Sequence, residues 1–304
     1  MNQRKNGLFM RFWTISGKRL PTTERGCDQL RVQSPSGLER NRVKWVGWII
    51  CAIVAAVSCN GSTAQAQDKN GQEIVVAAAA DLSSALKDVA DRFEKKTGVK
   101  AKLSFGASGA LTQQIENGAP FDVFFSADMD YPRHLVDVGD AEAGSLYQYV
   151  VGKLVLWIPA DSPLKLEQGM KVLLDPSVKK IAMANPQHAP YGRAAVAAMK
   201  HYGLYDQVAG RLVLGENVSQ AAQFVESGNA QAGFVALAHA IAPGIEGKGR
   251  YWEVPADAYP PLAQGAVVLS KAAHKKEATE FLEYMKSKEG KAVLEKYGFS
   301  LGSR

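Results

Sequence analysis

From residue 73 onward, apolar segments with strand periodicity alternate with segments of helical periodicity. An unbroken apolar run at 74–80 predicts a strand buried on both faces, and apolar residues at helical spacing follow it as far as Gly98. The order repeats, with strands at 101–105 and 121–125 and with helices that end near 118 and 138. This β-α-β-α-β-α pattern is typical of a parallel sheet covered by helices.

A second unit with the same alternation begins at residue 153. Its predicted strands lie at 153–158, 180–184, 211–214 and 232–235, and its predicted helices lie near 169–174, at 192–202 and at 218–227. A further strand at 264–270 and amphipathic helical segments complete the chain. A length of 304 residues is compatible with about two domains. We therefore expect an α/β protein built from two units.

The first 66 residues have a different character. Thirteen uncharged residues at 45–57 follow Arg40, Arg42 and Lys44, and Ala64-Gln65-Ala66 then offers the small residues that signal peptidase accepts. The uncharged run is shorter than the ~20 residues of a membrane span. We interpret 1–66 as an export leader with an overlong start, cleaved to leave a periplasmic protein. A lipid anchor on Cys59 is a less favoured alternative.

The net charge of +6 belongs to this leader. Residues 1–66 contain ten basic and three acidic residues, which leaves 26 basic and 27 acidic residues in the remainder. The remainder is therefore nearly neutral, and its charge gives no argument for binding nucleic acid or an anionic membrane. All three cysteines lie at or before Cys59, so the remainder has neither a disulfide framework nor a cysteine metal site.

Four places share one design, in which a strand ends, small or polar residues follow and a helix begins. They are 80–84, 106–109, 189–192 and 216–219. Helix N-termini have unpaired N–H groups and a partial positive charge, and in open α/β sheets such turns meet at the ligand crevice. Together they predict an anion site without Lys or Arg. The alternative for Ser83, Ser108 and Asn217 is that each merely caps its helix.

Signals for catalysis are weak. The segment 106–109 does not fit the nucleophile-elbow motif, no phosphate-binding loop or dinucleotide fingerprint is present, and the five histidines lack metal-ligand spacing. Asp122 and Asp128 flank a strand end and are better explained as structural caps than as paired catalytic carboxylates. An exported hydrolase using Ser108, a histidine and Asp81 remains an alternative, although no histidine lies in the four turns with this design.

Several segments resemble the periplasmic molybdate-binding proteins of ABC importers. They are VAAAADLSSAL (76–86), SFGASGALTQQIENGAPFDVFFSAD (104–128), ANPQHAPYGRAA (184–195), GENVSQAAQFVESGNAQAGFVA (215–236) and KYGF (296–299). The resemblance implies a two-lobed type II periplasmic binding fold, with a mostly parallel sheet flanked by helices in each lobe and a ligand cleft between the lobes. We assign 67–150 with about 263–304 to lobe 1 and 151–262 to lobe 2.

By this resemblance, the chain is a monomeric receptor, not an enzyme, and it has no cofactor. It delivers molybdate or tungstate to the membrane permease of an ABC importer. The predicted ligand-binding residues are Asp81, Leu82, Ser108, Gly109, Tyr191 and Val218. Among them, Asp81, Ser108, Tyr191 and Val218 would contact oxygens of the anion rather than the metal itself.

Two positions depart from the family. Asp81 stands where members have Ser or Asn, and Ala236 stands where some members have a Tyr whose hydroxyl reaches the anion. An ionised Asp81 facing a dianion would cost Coulomb energy. We expect its carboxylate to cap its own helix, with two alternatives: that it faces the cleft in its ionised form, or that it accepts a proton from the ligand. In the last case, the ligand would be another, protonated small anion.

Overall fold

The computed structural model describes residues 72–301, which fall within one compact unit of the chain, Ala64–Arg304. The predicted leader, including Cys59, lies outside the described residues. None of the helices between residues 72 and 301 combines the length and apolarity that crossing a bilayer requires.

Eleven strands and nine α-helices are defined within the described residues. The strands are β1 (Glu73–Ala79), β2 (Lys100–Gly106), β3 (Val123–Phe125), β4 (Tyr147–Gly152), β5 (Leu154–Pro159), β6 (Ile181–Ala184), β7 (Leu212–Gly215), β8 (Ala232–Ala236), β9 (Gly249–Glu253), β10 (Leu262–Val268) and β11 (Ser300–Leu301). The helices are α1 (Ser83–Thr97), α2 (Ser108–Glu116), α3 (Asp130–Asp137), α4 (Pro190–His201), α5 (Tyr205–Val208), α6 (Val218–Glu226), α7 (Leu237–Ala240), α8 (Lys275–Lys286) and α9 (Lys288–Lys296).

The strands form two sheets, which we call the first and the second sheet. The first has the order β11-β4-β10-β3-β1-β2, and the second has the order β7-β6-β8-β5-β9. In the first sheet β1 pairs with β2 and β3 in parallel, and in the second β6 pairs with β7 and β8 in parallel. The remaining pairs are antiparallel, so both sheets are mixed rather than mostly parallel as we expected.

Each sheet is covered by helices through an apolar core. Strand β1 is almost completely buried, and α1 packs Leu86, Val89 and Phe93 into the first core. In the second sheet, β5, β6 and β8 are buried and α6 contributes Ala221 and Ala222. These are the continuous apolar strands and the helical stripes that the sequence pattern predicts.

The sequence pattern failed to predict three strands, and one predicted helix has a different conformation. Strand β9 is an edge strand with mostly exposed residues, so it has no apolar run, and β11 has only two residues. Strand β4 is separated from β5 by Lys153 alone and escaped recognition as an element of its own. The helix predicted near 169–174 is a 3-10 segment, Leu166–Leu174, interrupted at Gly169, where φ is 58°.

The chain passes from the first sheet to the second between Gly152 and Leu154 and returns between Glu253 and Leu262. The carboxyl ends of the parallel strands lie side by side, because Ala79 is in register with Gly106 and Ala184 with Gly215. The turns that follow these strands are therefore neighbours within each sheet, at the edge where ligands bind in open α/β sheets.

Candidate functional site: a cavity between the two sheets

The four turns with the shared design meet at one cavity between the sheets. It encloses about 200 Å³ of atom-free space, including its opening to solvent. Its walls are formed by Ala79, Ala80, Asp81, Gly106, Ala107, Ser108, Ala127, Ala189, Pro190, Tyr191, Asn217 and Val218. These residues include no Lys, Arg or His. Because the volume of about 200 Å³ also counts open solvent, the enclosed space is small, which favours a ligand of a few heavy atoms over a larger organic ligand.

Ser108 is the first residue of α2, and its side chain is fully buried. Its Oγ accepts a hydrogen bond of 2.9 Å from the main-chain N–H of Ala127, and it does not cap α2. Because the oxygen acts as an acceptor in this bond, the hydroxyl proton remains available for a ligand. The arrangement is compatible with a hydroxyl donor at the wall of the cavity, and the contact of Ser108 with a ligand stays a prediction.

Asp81 lies in the 3-10 turn Ala80–Leu82 that precedes α1, and it is only 3% exposed. Contrary to our expectation, the hydrogen bond of its carboxylate joins it to a side chain of the first sheet rather than to the N-terminus of its own helix. Oδ2 accepts a hydrogen bond of 2.5 Å from Nε2 of Gln264, whereas Oδ1 has no hydrogen-bond partner among the described residues. Burial raises the pKa of Asp81 to about 6, despite the opposing effects of the Gln264 hydrogen bond and of the nearby Tyr191 hydroxyl and Leu82 N–H, which favour the ionised form.

Gln264 and Tyr149 were missed by the sequence analysis. Gln264 is a completely buried polar residue within the apolar strand β10, and its Oε1 lies 2.7 Å from the hydroxyl of Tyr149 on the neighbouring β4. A polar residue amid apolar neighbours is a signal for such a network. The predicted strand begins at residue 264, two residues late, so Gln264 stands at its end rather than within it. Gly152 is required beside the network, since a Cβ there would overlap the Tyr191 hydroxyl and the Gln264 amide.

On the second-sheet side, the cavity meets the N-termini of two helices. Val218 is the first residue of α6, and the side chain of Asn217 caps this helix by accepting from the N–H of Gln220 at 3.0 Å. Helix α4 begins with Pro190, and Tyr191 follows it. The N–H groups of Val218 and Tyr191 fall in the first turns of their helices, where N–H groups have no intrahelical partner. Both residues line the cavity.

Two other predicted site residues lie beside the cavity rather than in its wall. The N–H of Gly109 donates to the carbonyl of His188 at 2.9 Å, so it joins the two sides of the cleft. The side chain of Leu82 is completely buried in the core of the first sheet. Ala236 is buried at the end of β8 and is not part of the wall. Contacts of these residues with a ligand remain predictions.

Several contacts join the two sides of the cleft. Besides the Gly109–His188 bond, the hydroxyl of Ser219 donates to the carbonyl of Ala80 at 3.0 Å. The guanidinium of Arg193 forms an ion pair with Asp128 on the first-sheet side. These contacts surround the cavity and hold its two halves together.

The other candidate residues have structural roles. The carboxylate of Asp122 accepts from the N–H groups of Val75 and His274, and Asp128 accepts from the N–H of Tyr131 at the start of α3. This agrees with the interpretation of both as caps. Within the described part of the chain, no group of three or more His, Cys, Asp or Glu side chains is arranged to hold a metal ion.

A larger depression lies at the opposite end of the first sheet, near Glu73, Glu94 and Lys100, with about 1080 Å³ of atom-free space. Its charged side chains are exposed or half-buried, and it contains no helix N-terminus. The smaller cavity between the sheets is the better candidate, because buried polar groups from four turns converge there.

The chain matches the family model described as bacterial extracellular solute-binding protein over residues 74–300. The molybdate-binding protein ModA of Azotobacter vinelandii is 42% identical over 229 residues, which cover 75% of this chain and 90% of that protein. The ModA of Rhodobacter capsulatus is 40% identical over 227 residues, which cover 75% of this chain and 88% of that protein.

Solved structures of binding proteins also resemble this chain. The periplasmic molybdate-binding protein of Azotobacter vinelandii superimposes with a TM-score of 0.72 at 39% identity, covering 76% of this chain and all of that one. A sulfate-binding protein of Mycobacterium tuberculosis, at 16% identity and a TM-score of 0.62, shares the fold. These relatives are binding proteins rather than enzymes.

Proposed function

Since the chain belongs to the family of bacterial extracellular solute-binding proteins, we propose that it is an exported receptor that captures molybdate or tungstate and delivers it to an ABC importer. It has the two-lobed type II fold of periplasmic binding proteins. The relatives at 40–42% identity are molybdate-binding proteins, and the chain spans most of their length. An exported, monomeric form is part of the proposal.

One observation carries the proposal: donors from both sheets converge on a small cavity whose wall contains no basic side chain. The donors are the hydroxyl of Ser108 and the N–H groups at the starts of α4 and α6. A tetrahedral anion with four oxygen atoms and no proton needs donors only, and helix N-termini favour negative charge. A rigid set of donors also discriminates by size, because a smaller anion would stretch its hydrogen bonds. Leu82 and Gly109 lie beside the cavity, and their contacts with the anion are part of the proposal.

Asp81 favours a second candidate, a small anion that carries a proton. A buried carboxylate at the cavity wall is a hydrogen-bond acceptor, which a hydrogenphosphate ion could use and molybdate could not. The hydrolase alternative has no such support, because the described residues that line the cavity include no histidine to activate Ser108.

Calorimetric titration of the purified protein with molybdate, tungstate, sulfate and phosphate tests the proposal. We expect tight binding of molybdate and tungstate and much weaker binding of sulfate and phosphate. Preferential binding of phosphate would favour the second candidate. If none of the four anions binds, the proposed function is wrong.

A further inference from the structure

The two oxygens of the Asp81 carboxylate have different surroundings. Oδ2 accepts the hydrogen bond from Gln264, while Oδ1 is buried and has no partner among the described residues. A buried carboxylate oxygen without a donor is costly, and in an anion site a second negative charge adds to the cost. Asp81 belongs to the wall of the cavity, so the cost arises where the anion would bind.

The neighbouring side chains determine which oxygen can receive a proton. The Tyr149 hydroxyl faces two acceptors, Oε1 of Gln264 at 2.7 Å and the carbonyl of Ser126 at 3.0 Å. The amide oxygen of Gln264 is thereby engaged, and its Nε2 is turned towards Oδ2 of Asp81. Since Oδ2 already accepts a hydrogen bond from an N–H donor, we place an added proton on Oδ1.

The two tyrosines near Asp81 remain neutral at physiological pH. Burial raises the pKa of Tyr191 on α4 and of Tyr149 on β4 well above the ordinary value for tyrosine. Burial also raises the pKa of Asp128, the other acid acting on Tyr149, but Asp128 is paired with Arg193 and is not part of the cavity wall. Asp81 is therefore the group at this wall that can change its protonation near neutral pH, and burial raises its pKa to about 6.

We propose, on the premise that this cavity binds an oxyanion, that Asp81 and the anion share one proton. A fully ionised dianion such as molybdate takes up one proton from solution on binding, and this proton lies between Oδ1 of Asp81 and an oxygen of the anion. The pair then carries two negative charges instead of three, and Oδ1–H becomes a donor like the others in the wall. A hydrogenphosphate ion brings its own proton, so its binding requires none from solution.

The proton is counted by titrating the purified protein with molybdate at pH 7.5 in buffers of different ionisation enthalpy. We expect uptake of about one proton per molybdate for the wild type. We expect none for Asp81→Asn, because its amide N–H donates a hydrogen bond without taking up a proton from solution. Above about pH 6, wild-type affinity should fall by up to about tenfold per pH unit, because the free carboxylate must be protonated. The affinity of the Asn variant should not change with pH.

Asp140→Asn is the matched control, because Asp140 is paired with Lys271 and is not part of the cavity wall. This variant should keep the wild-type proton uptake. Binding of molybdate by the wild type without proton uptake overturns the shared proton but leaves the proposed function intact. Uptake that persists in Asp81→Asn also overturns it. If no oxyanion binds to the wild type, both the function and the shared proton are wrong. If Asp81→Asn fails to fold, the wild-type measurement still tests the shared proton, because binding of molybdate without proton uptake overturns it.

Discussion

The two sides of the cavity use similar residues in different ways. On the first-sheet side, Asp81 and Ser108 lie at helix starts, yet their side chains form hydrogen bonds with partners outside their own helices, and both are buried at the cavity wall. On the second-sheet side, the side chain of Asn217 caps α6 through the N–H of Gln220, and Val218, the first residue of α6, lines the cavity. One side therefore offers side chains, and the other offers main-chain groups.

The difference comes from what is packed next to each turn. Ala127 supplies an N–H to Ser108, and Gln264 supplies an amide to Asp81, so these side chains have partners other than their own helices. The side chain of Asn217, in contrast, accepts a hydrogen bond from the N–H of Gln220 at the start of its own helix. Side chains can be replaced without changing the backbone, so we infer that the first-sheet side adjusts charge selectivity while the second-sheet side fixes geometry.

The largest effect is expected for Ser108→Ala. It removes a hydroxyl donor from a charged ligand, which costs about 1.5–3 kcal/mol, equivalent to a roughly ten- to hundredfold loss of molybdate affinity. It also leaves the buried N–H of Ala127 without its partner, so the free energy of unfolding should fall by about 1–3 kcal/mol. Calorimetry and urea denaturation measure the two effects.

Ser145→Ala is the control for this prediction, since Oγ of Ser145 likewise accepts an N–H, from Val268, away from the cavity. It should lower stability without changing affinity. Unchanged molybdate affinity in Ser108→Ala would remove Ser108 from the site.

Val218→Pro tests the main-chain side. Proline is tolerated at the first position of a helix, as Pro190 shows in α4, and the extended conformation of Asn217 (φ −144°, ψ 176°) suits the residue before a proline. The variant loses one N–H, so affinity should fall by about tenfold or more. Val218→Ala keeps the N–H and should change affinity by less than about threefold. Equal affinities for the two variants would mean that this N–H does not contact the anion.

Asp81→Asn should stabilise the protein without ligand at pH 7.5. The pKa of Asp81 is raised from 3.8 to about 6, so its contribution to stability is fully present below pH 3.8 and is lost as the pH rises to about 6. Removing the buried charge should therefore increase the free energy of unfolding at pH 7.5 by about 1–3 kcal/mol. This advantage should disappear near pH 4. Urea denaturation at both pH values checks it, and an Asn variant less stable at pH 7.5 would contradict the prediction.

The smallest effect is expected for Asn217→Ala. Loss of an N-cap costs about 1 kcal/mol of stability, whereas the N–H of Val218 stays in place, so affinity should change by less than about threefold. Asn217→Ser keeps a capping oxygen and should retain most of the stability. A large loss of affinity in the Ala variant, with stability unchanged, would show that the second-sheet side also uses a side chain.

The sequence alone predicted much of this protein, because most of its signals are local. Buried strands such as β1 and β8, amphipathic helices such as α1 and α6, and the helix starts after them follow from residues close together in the chain. The same local signals selected the turns that contain Ser108, Tyr191 and Val218, which line the cavity. The resemblance to known receptors then singled out these three residues within the turns.

Only the tertiary structure decided what these residues contact. Asp81 looked like a helix cap, but Gln264, 183 positions further along the chain, holds its carboxylate. The N–H of Gly109 looked available to a ligand, but the carbonyl of His188 from the other side of the cleft accepts it. The exposed edge strand β9 was missed because its partner β5 defines it, not its own pattern. Local propensity predicts the elements, whereas partners distant in the chain determine which polar atoms remain free for a ligand.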